Sequence, residues 1–200
     1  MRRIVLASKS PDRRKLFNLA KINFEVLETN VDEEHFKAKI TDPIKLVCKL
    51  AEEKALTAKR ILEKENKDAV IITADTIVEY NNEIIGKAKD EKHAFEILKK
   101  LSGRTHNLIT GFAITETKEP KLIIDYDRTE VKFLVLSNKE ILDYIKSGEW
   151  KGRAGAYSIR EKASLFIDSI YGSISNVIGL PMQKIYKILK NEFNLNLLGT

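Results

Sequence analysis

The segment IVLASKSP, at residues 4–11, indicates the fold class because it contains a strand, a tight turn and a helix start in succession. Its first four residues form an uninterrupted apolar run rich in β-branched side chains, which is typical of a strand buried on both faces. Ser10 can cap a helix that has Pro11 in its first turn. That helix is predicted to direct four apolar side chains inward, namely Leu16, Phe17, Leu19 and Ala20. The turn joins a strand end to the N–H groups of a helix start, an arrangement that accepts anions.

The rest of the chain continues this alternation of strands and helices. A second helix is predicted to begin at Asp42-Pro43, with Lys54 at the edge of its apolar face, and others begin at Asp90 and at the Ser137–Glu140 capping box. The predicted strands cover residues 22–26, 69–72, 84–85, 108–115 and 122–136, and the last two are expected to form an antiparallel pair. The strand at 69–72 is expected to end in the segment TADT, residues 73–76. These elements predict an α/β fold with a mixed sheet.

The bulk composition limits the class of protein. The 200 residues are 43% hydrophobic and 32% charged, which is enough for one compact domain, or two closely joined lobes, over residues 1–200. Lys and Arg total 35 against 29 Asp and Glu, for a net charge of +6 and a pI near 9.2. This excess favours an anionic partner such as a nucleotide or a nucleic acid, although a solvated basic surface explains it equally well. The lone Cys48 excludes an intrachain disulfide, and no apolar run approaches the roughly 20 residues of a membrane helix, so a cytosolic protein is expected.

Common catalytic motifs are missing from the sequence. It has neither GxxxxGK[ST] nor GxGxxG, which removes the main support for kinase and dinucleotide-binding functions. None of the three histidines, His35, His93 and His106, belongs to an HExxH motif or accompanies a CxxC motif, as the ligands of a zinc site would. Ser8 and Ser10 lack a GxSxG elbow, so turn and cap roles explain them better than a nucleophilic role.

Carboxylates and cations remain as candidates for chemistry. Asp75 stands between apolar strand segments, where a charged side chain must be paired, bind a metal or lie at a strand end over a cleft. Together with Glu33 it could hold Mg²⁺, which prefers oxygen ligands. Five cations could neutralise phosphate oxygens, namely Lys9, Arg13, Arg14, Lys54 and Lys87. This division of labour suits phosphoryl transfer, whereas a lysine placed like Lys54 more often extends to water.

Six motifs occur in order along nearly the whole chain. They are LASKSP (6–11), ADT (74–76), GK (86–87), LSGRTH (101–106), AGAY (154–157) and GLP (179–181). Taken together and in this order, they resemble the Maf family. The resemblance implies hydrolysis of a nucleoside triphosphate to the monophosphate and pyrophosphate with a divalent metal, Mg²⁺ or Mn²⁺. It also implies a homodimer and an elongated α/β fold with helices flanking a mixed sheet and a central cleft, similar to the inosine-triphosphate pyrophosphatases.

The same resemblance implies roles for individual residues. Asp75 corresponds to the proton acceptor and Glu33 to its partner at the metal, and Lys54 and Lys87 complete the catalytic set. The positions that match phosphate-binding residues are Arg13, Arg14, Lys54 and Lys87. Ser8, Ser10 and Thr76 fall at substrate-binding positions.

The sequence is closer to the branch of the family that acts on dTTP and UTP than to the 7-methyl-GTP branch. Thr76 and the AGAY motif match the first branch, whereas the second has Gln after the aspartate of the ADT motif. Asp12 and Arg160 match neither branch: Arg or Trp is typical at the first position, and Gln or Glu at the second. Asp12 also suits the first turn of a helix, where an acid interacts favourably with the helix dipole, and Arg160 suits an ordinary surface. We hypothesise that the two form a salt bridge at the pocket rim and alter base preference.

Two other functions are compatible with the sequence. A nucleic-acid-binding protein would explain the high pI, but the sequence lacks an aromatic stacking pattern such as an RRM's and lacks any DNA-reading motif. A regulatory role in cell division is suggested by the name of the family, which comes from septum formation, and that role need not exclude hydrolysis.

Overall fold

The computed structural model describes residues 2–199 and has an α/β fold. The strands within these residues are β1 (Arg3–Ala7), β2 (Glu25–Leu27), β3 (Ala69–Tyr80), β4 (Glu83–Ile85), β5 (Thr105–Glu116), β6 (Leu122–Phe133) and β7 (Ile167–Tyr171). The helices are α1 (Pro11–Leu19), α2 (Glu33–Lys37), α3 (Pro43–Lys64), α4 (Glu91–Leu101), α5 (Asn138–Ile145), α6 (Ile174–Ile178) and α7 (Met182–Glu192). Two short 3-10 turns lie at Lys162–Leu165 and Leu197–Gly199.

The strands form one mixed sheet in the order β2-β1-β3-β5-β6-β7, with β4 paired to β3. Strand β1 is parallel to both of its neighbours, β2 and β3. Strands β4 and β7 run antiparallel to β3 and β6. The predicted α/β class with a mixed sheet is therefore confirmed, as is the adjacency of β5 and β6.

The chain divides into two compact units. The first unit comprises Met1–Asp75, Thr110–Asp127 and Gly179–Thr200, and the second comprises Thr76–Ile109 and Arg128–Ile178. Strands β3, β5 and β6 contribute residues to both units. The prediction of a single domain over residues 1–200 stays a prediction.

The first unit begins with the strand, turn and helix that the sequence predicts. Strand β1 is buried from Ile4 to Ala7, and the Ser10 hydroxyl accepts a hydrogen bond from the main-chain N–H of Arg13, as an N-cap does. The inward direction predicted for Leu19 and Ala20 is wrong. The buried face of α1 is made by residues 12, 13, 16 and 17, Leu19 is 75% exposed, and Ala20 follows the end of the helix.

The second predicted strand, residues 22–26, is shorter and later than expected. Only Glu25–Leu27 pairs with β1. Ile22 and Phe24 lie outside the strand. Ile22 is buried, and the Phe24 ring packs edge-on against the Phe17 ring with 5.1 Å between their centroids. The alternating apolar pattern there reflects contacts with α1 rather than sheet pairing.

Helix α3 packs directly on the sheet of the first unit. A Cβ added to Gly111 of β5 would lie 2.4 Å from the main-chain carbon of Val47, so the backbones of α3 and β5 are in contact. The Thr73 hydroxyl donates to the main-chain oxygen of Ala51 at 2.7 Å and ties β3 to the same helix. The buried face of α3 is made by seven residues: Leu46, Val47, Leu50, Ala51, Ala55, Ala58 and Leu62. This packing fixes the position of Lys54.

The second unit has its own apolar core, and local signals predict its turns and caps well. Asn81 and Asn82 connect β3 to β4 with φ angles of 52° and 63°, as a two-residue hairpin requires. Asp90 caps α4, and Ser137 forms the predicted capping box with Glu140. Strand β6 ends at Phe133 rather than at residue 136. No helix within residues 2–199 is long and apolar enough to cross a membrane.

His106 is buried in the second unit. Its side chain packs edge-on against the rings of Phe133 and Tyr157, and its Nε2 lies 2.9 Å from the Tyr157 hydroxyl. Burial lowers the pKa of His106 from its ordinary 6.5 to about 4. The imidazole is therefore neutral in the folded protein at neutral pH, and it is a core residue rather than a zinc ligand.

We expect His106 to make the folded protein acid-sensitive. The unfolded chain binds a proton at His106 near pH 6.5, whereas the folded protein does so only near pH 4, so stability falls as the pH drops through this window. The free energy of unfolding is lower by about 3 kcal/mol at pH values below about 4, and it is not reduced by His106 above pH 6.5. Urea unfolding across this range compares the wild type with His106→Gln, which keeps a partner for the Tyr157 hydroxyl but does not titrate. Parallel pH profiles for the two proteins would contradict a buried neutral histidine.

Candidate functional site

Asp75 lies within a continuous strand and not at its end. The predicted end at residues 73–76 is wrong, because β3 continues to Tyr80. The neighbouring parallel strand β1 does end nearby: its last pair with β3 is Leu6 with Ile72, and the turn at Ser8 follows. Asp75 thus lies three residues beyond that last pair, where β1 no longer covers β3. The strand end that opens the site belongs to β1.

Three charged side chains from three elements meet at this position in the first unit. The Lys54 ammonium on α3 lies 2.6 Å from Asp75 Oδ1 and 2.8 Å from Glu33 Oε1. The side chains of Lys54 and Asp75 are each 13% exposed, and that of Glu33 is 36% exposed. Lys54 therefore does not extend to water. Asp75 was expected to be paired, to bind a metal or to lie at a strand end over a cleft, and the structure shows it paired with Lys54.

A further lysine, which the sequence analysis missed, joins this cluster. Lys37 Nζ lies 3.6 Å from Glu33 Oε2 and 2.8 Å from Glu34 Oε1. Burial lowers the pKa of Lys37, but the hydrogen bond to Glu34 and the charges of Glu33 and Asp75 outweigh it and raise the pKa overall. The i,i+4 spacing of Glu33 and Lys37 could have indicated the pair. The sequence analysis considers Glu33 only as a metal ligand and does not predict the short helix α2.

Arg13 is buried beneath the turn and holds three segments together. Its Nε donates to the Gly179 carbonyl at 2.7 Å, and its Nη1 donates to the Ala74 carbonyl at 2.9 Å and to the Ser8 hydroxyl at 3.3 Å. Burial lowers the pKa of the Arg13 guanidinium, and the charges of Asp75 and Glu33 oppose this effect. Arg13 is thus a fixed positive charge close to both carboxylates.

The other predicted residues of the turn face different directions. Arg14 donates from Nη2 to the Ser8 carbonyl at 3.3 Å and forms a partly exposed ion pair with Glu28. Lys9 is exposed and donates to the side chain of Asn30 at 2.9 Å. Asp12 is buried in the first turn of α1. The first unit therefore brings together Ser8, Ser10, Arg13, Glu33, Lys54 and Asp75, with Arg14 at the same turn.

The remaining predicted residues, Thr76, Lys87 and Arg160, belong to the second unit. There the GK and AGAY motifs meet: Lys87 pairs with Ala154 in an antiparallel bridge, and the Gly155 N–H donates to the Gly86 carbonyl at 3.1 Å. The Lys87 side chain is exposed, and no carboxylate within residues 2–199 forms an ion pair with it. The participation of these three residues in the chemistry of Asp75 stays a prediction, as does the salt bridge between Asp12 and Arg160.

The carboxylates set a limit on metal binding by the protein alone. Within residues 2–199, no group of three or more His, Cys, Asp and Glu side chains could hold a metal ion. Mg²⁺ commonly binds through one or two carboxylates when substrate phosphates and water supply its other ligands. Glu33 and Asp75 converge on one cation, the Lys54 ammonium. This placement suits a site in which two carboxylates share the metal with substrate phosphates and water.

Comparison with known proteins assigns this chain to a family. The family described as Maf-like protein matches residues 3–192. The chain belongs to the Maf family. A Maf relative from Aquifex aeolicus (strain VF5) is 46% identical over 198 residues, which cover 99% of this chain and 98% of the relative. Relatives from Alkaliphilus oremlandii (strain OhILAs) and Thermoanaerobacter sp. (strain X514) are 43% and 42% identical, over 99% and 98% of this chain and 100% of each relative.

All three Maf relatives carry the name dTTP/UTP pyrophosphatase. Among solved structures, a nucleoside-triphosphatase (dITP/XTP pyrophosphatase) from Mycobacterium abscessus aligns with 66% of this chain and 72% of its own at 9% identity. Its TM-score of 0.36 is too low to support an argument. The family assignment therefore depends on sequence, and it agrees with the six motifs.

Proposed function

We propose that this Maf protein hydrolyses nucleoside triphosphates to the monophosphate and pyrophosphate, with dTTP and UTP as its preferred substrates. The observation that carries the proposal is the convergence of Asp75, Lys54 and Glu33 beside a turn that leads into a helix start. Carboxylates beside cations are typical of phosphoryl-transfer sites, because catalysis there is mostly positioning and charge stabilisation. The names of the three relatives support the reaction and the pyrimidine preference.

Asp75 is the proposed general base. Within residues 2–199 its carboxylate has one hydrogen-bond partner, Lys54, which uses Oδ1. Oδ2 is thus left to accept a proton from the water that attacks the α-phosphorus. In the nucleotide-free protein the ammonium of Lys54 orients the carboxylate of Asp75, and Glu33 contacts the same ammonium from its other side.

Glu33 and Asp75 are the proposed ligands of a divalent metal, Mg²⁺ or Mn²⁺. Their fit is supported by their convergence on one positive charge, that of Lys54. When bound, such a metal would neutralise phosphate oxygens and so ease the departure of pyrophosphate.

The remaining cations and hydroxyls have proposed roles in substrate binding. Arg13 keeps a positive charge beneath the turn, while Arg14 and the exposed Lys87 would contact phosphate oxygens. The Ser8 hydroxyl accepts a hydrogen bond from the Ser10 N–H, and the Ser10 hydroxyl accepts one from the Arg13 N–H. The proposed contribution of both hydroxyls is therefore to hold the N–H groups of the turn and of the start of α1 in place. Thr76 follows the base on β3 and is proposed to contact the substrate.

Pyrophosphate release from a panel of ribo- and deoxyribonucleoside triphosphates, with Mg²⁺, Mn²⁺ or chelator, tests the function. We expect metal-dependent release that is fastest with dTTP and UTP. In the same panel, Asp12→Arg combined with Arg160→Gln is expected to change the order of preference. Identical preference profiles would count against the proposed role of these two residues, and no release from any nucleotide would overturn the proposed function itself.

Three further properties stay predictions. The cytosolic location follows from the composition, the homodimer from the resemblance, and the lack of a nucleic-acid partner from the missing recognition motifs. The regulatory alternative also remains compatible with hydrolysis.

A further inference from the structure

The Lys54 ammonium occupies the place between the two carboxylates that are the proposed metal ligands. One oxygen of each carboxylate is already bonded to it, Asp75 Oδ1 at 2.6 Å and Glu33 Oε1 at 2.8 Å. Within residues 2–199 these carboxylates are the only partners of the ammonium. A divalent cation that used the same two oxygens would therefore meet a positive charge at close range, and like charges repel strongly in a partly buried site.

Two of the cations near the carboxylates, Arg13 and Lys54, differ in their freedom to move. Arg13 is tied by hydrogen bonds to Gly179, Ala74 and Ser8, so its guanidinium is part of the framework. Lys54 extends from α3 on four methylene groups and is held only by the carboxylates themselves. A rotation of its side chain moves the charge without disturbing the backbone.

We propose that Lys54 is a place-holding cation: without nucleotide it blocks free divalent metal from Asp75 and Glu33, and it moves to the phosphate oxygens when the triphosphate arrives with its metal. This inference rests on the proposed function for the identity of the incoming ligand. It explains how two carboxylates stay in position without metal, because Lys54 balances part of their mutual repulsion. It also explains why a lysine at the edge of an apolar helix face turns toward the sheet rather than toward water.

Binding of Mn²⁺ to the nucleotide-free protein, measured by electron paramagnetic resonance at low ionic strength, tests this inference. We expect Lys54→Met to bind Mn²⁺ about tenfold or more tightly than the wild type, because the substitution removes the competing charge and leaves both carboxylates in place. Lys54→Arg keeps the charge and is expected to bind as weakly as the wild type. Affinity of Lys54→Met equal to or below that of the wild type would overturn the proposal.

Lys49→Met is the matched control. Lys49 lies on the same helix and also pairs with two carboxylates, Glu52 at 2.9 Å and Glu53 at 2.8 Å, but its side chain is 38% exposed against 13% for Lys54. Its removal changes the net charge equally and should alter Mn²⁺ affinity by no more than about twofold. An equal gain in both variants would show a general charge effect and would also overturn the proposal.

Two further variants test whether the gain in Mn²⁺ affinity arises at Asp75 and provide a substitute if Lys54→Met does not fold. Adding Asp75→Asn to Lys54→Met should abolish the gain in affinity, because one of the two ligands is lost. Lys54→Gln, which can still donate to Asp75, replaces Lys54→Met if the methionine variant does not fold by circular dichroism. None of these measurements involves turnover, so their outcome is independent of pyrophosphate release, and failure of one proposal can be told from failure of the other.

Discussion

Replacing Asp75 with Asn is expected to lower kcat for pyrophosphate release by roughly 10² to 10⁴, the usual contribution of a general base. Asn has nearly the same shape and can still accept a hydrogen bond from Lys54, but it cannot take a proton from water. Because Lys54 holds Oδ1 at 2.6 Å, the substitution should leave the position of the side chain largely unchanged. Initial rates at saturating dTTP or UTP, with the melting temperature of each protein, are the measurements.

Asp68→Asn provides the control for this experiment. Asp68 precedes the same strand and pairs with Lys118 at the surface, away from the cluster. The control variant should keep the wild-type rate. If Asp75→Asn retained most of its activity, Asp75 would not be the base, and the carboxylate of Glu33 would be the next to test.

Replacing Gly111 with Ala is expected to lower the free energy of unfolding by more than about 3 kcal/mol, beyond the common range for overpacked cores. The added Cβ would lie 2.4 Å from the main-chain carbon and 2.5 Å from the main-chain oxygen of Val47. These are backbone atoms in the interior of a 22-residue helix, so no side chain can rotate away to make room. Helix α3 would have to move off the sheet, and it carries Lys54.

Gly86→Ala is the matched substitution for this prediction. A Cβ at Gly86 meets no atom within 4 Å, and its backbone conformation suits any residue. Its effect should stay within about 1 kcal/mol. Urea unfolding of both variants gives the comparison. Similar stabilities for Gly111→Ala and the wild type would mean that α3 and β5 do not touch as described.

Local signals in the sequence were sufficient for the elements that begin with a cap or a turn. The caps at Ser10, Asp42 and Asp90 and the hairpin turn at Asn81-Asn82 each depend on contacts among residues no more than four apart. Such contacts can be inferred from spacing alone. The errors concern features that depend on distant partners. Leu19 was predicted to face inward although it is 75% exposed, and β3 was predicted to end within residues 73–76 although it continues to Tyr80.

Three properties follow from the sequence alone, because motifs in order and buried strand runs are properties of the chain: the α/β class, the start of the fold at residues 4–11 and membership of the Maf family. The role of Lys54, in contrast, depends on the tertiary structure. A lysine at the edge of an apolar stripe turns either to water or to a buried carboxylate, and the choice depends on what faces it. Here Asp75 lies 21 residues away in sequence, beyond the last pair of β1 with β3, and Glu33 arrives from a separate helix. The attraction of two carboxylates at less than 3 Å opposes the loss of hydration, and Lys54 lies in a partly buried charge cluster instead of extending to water.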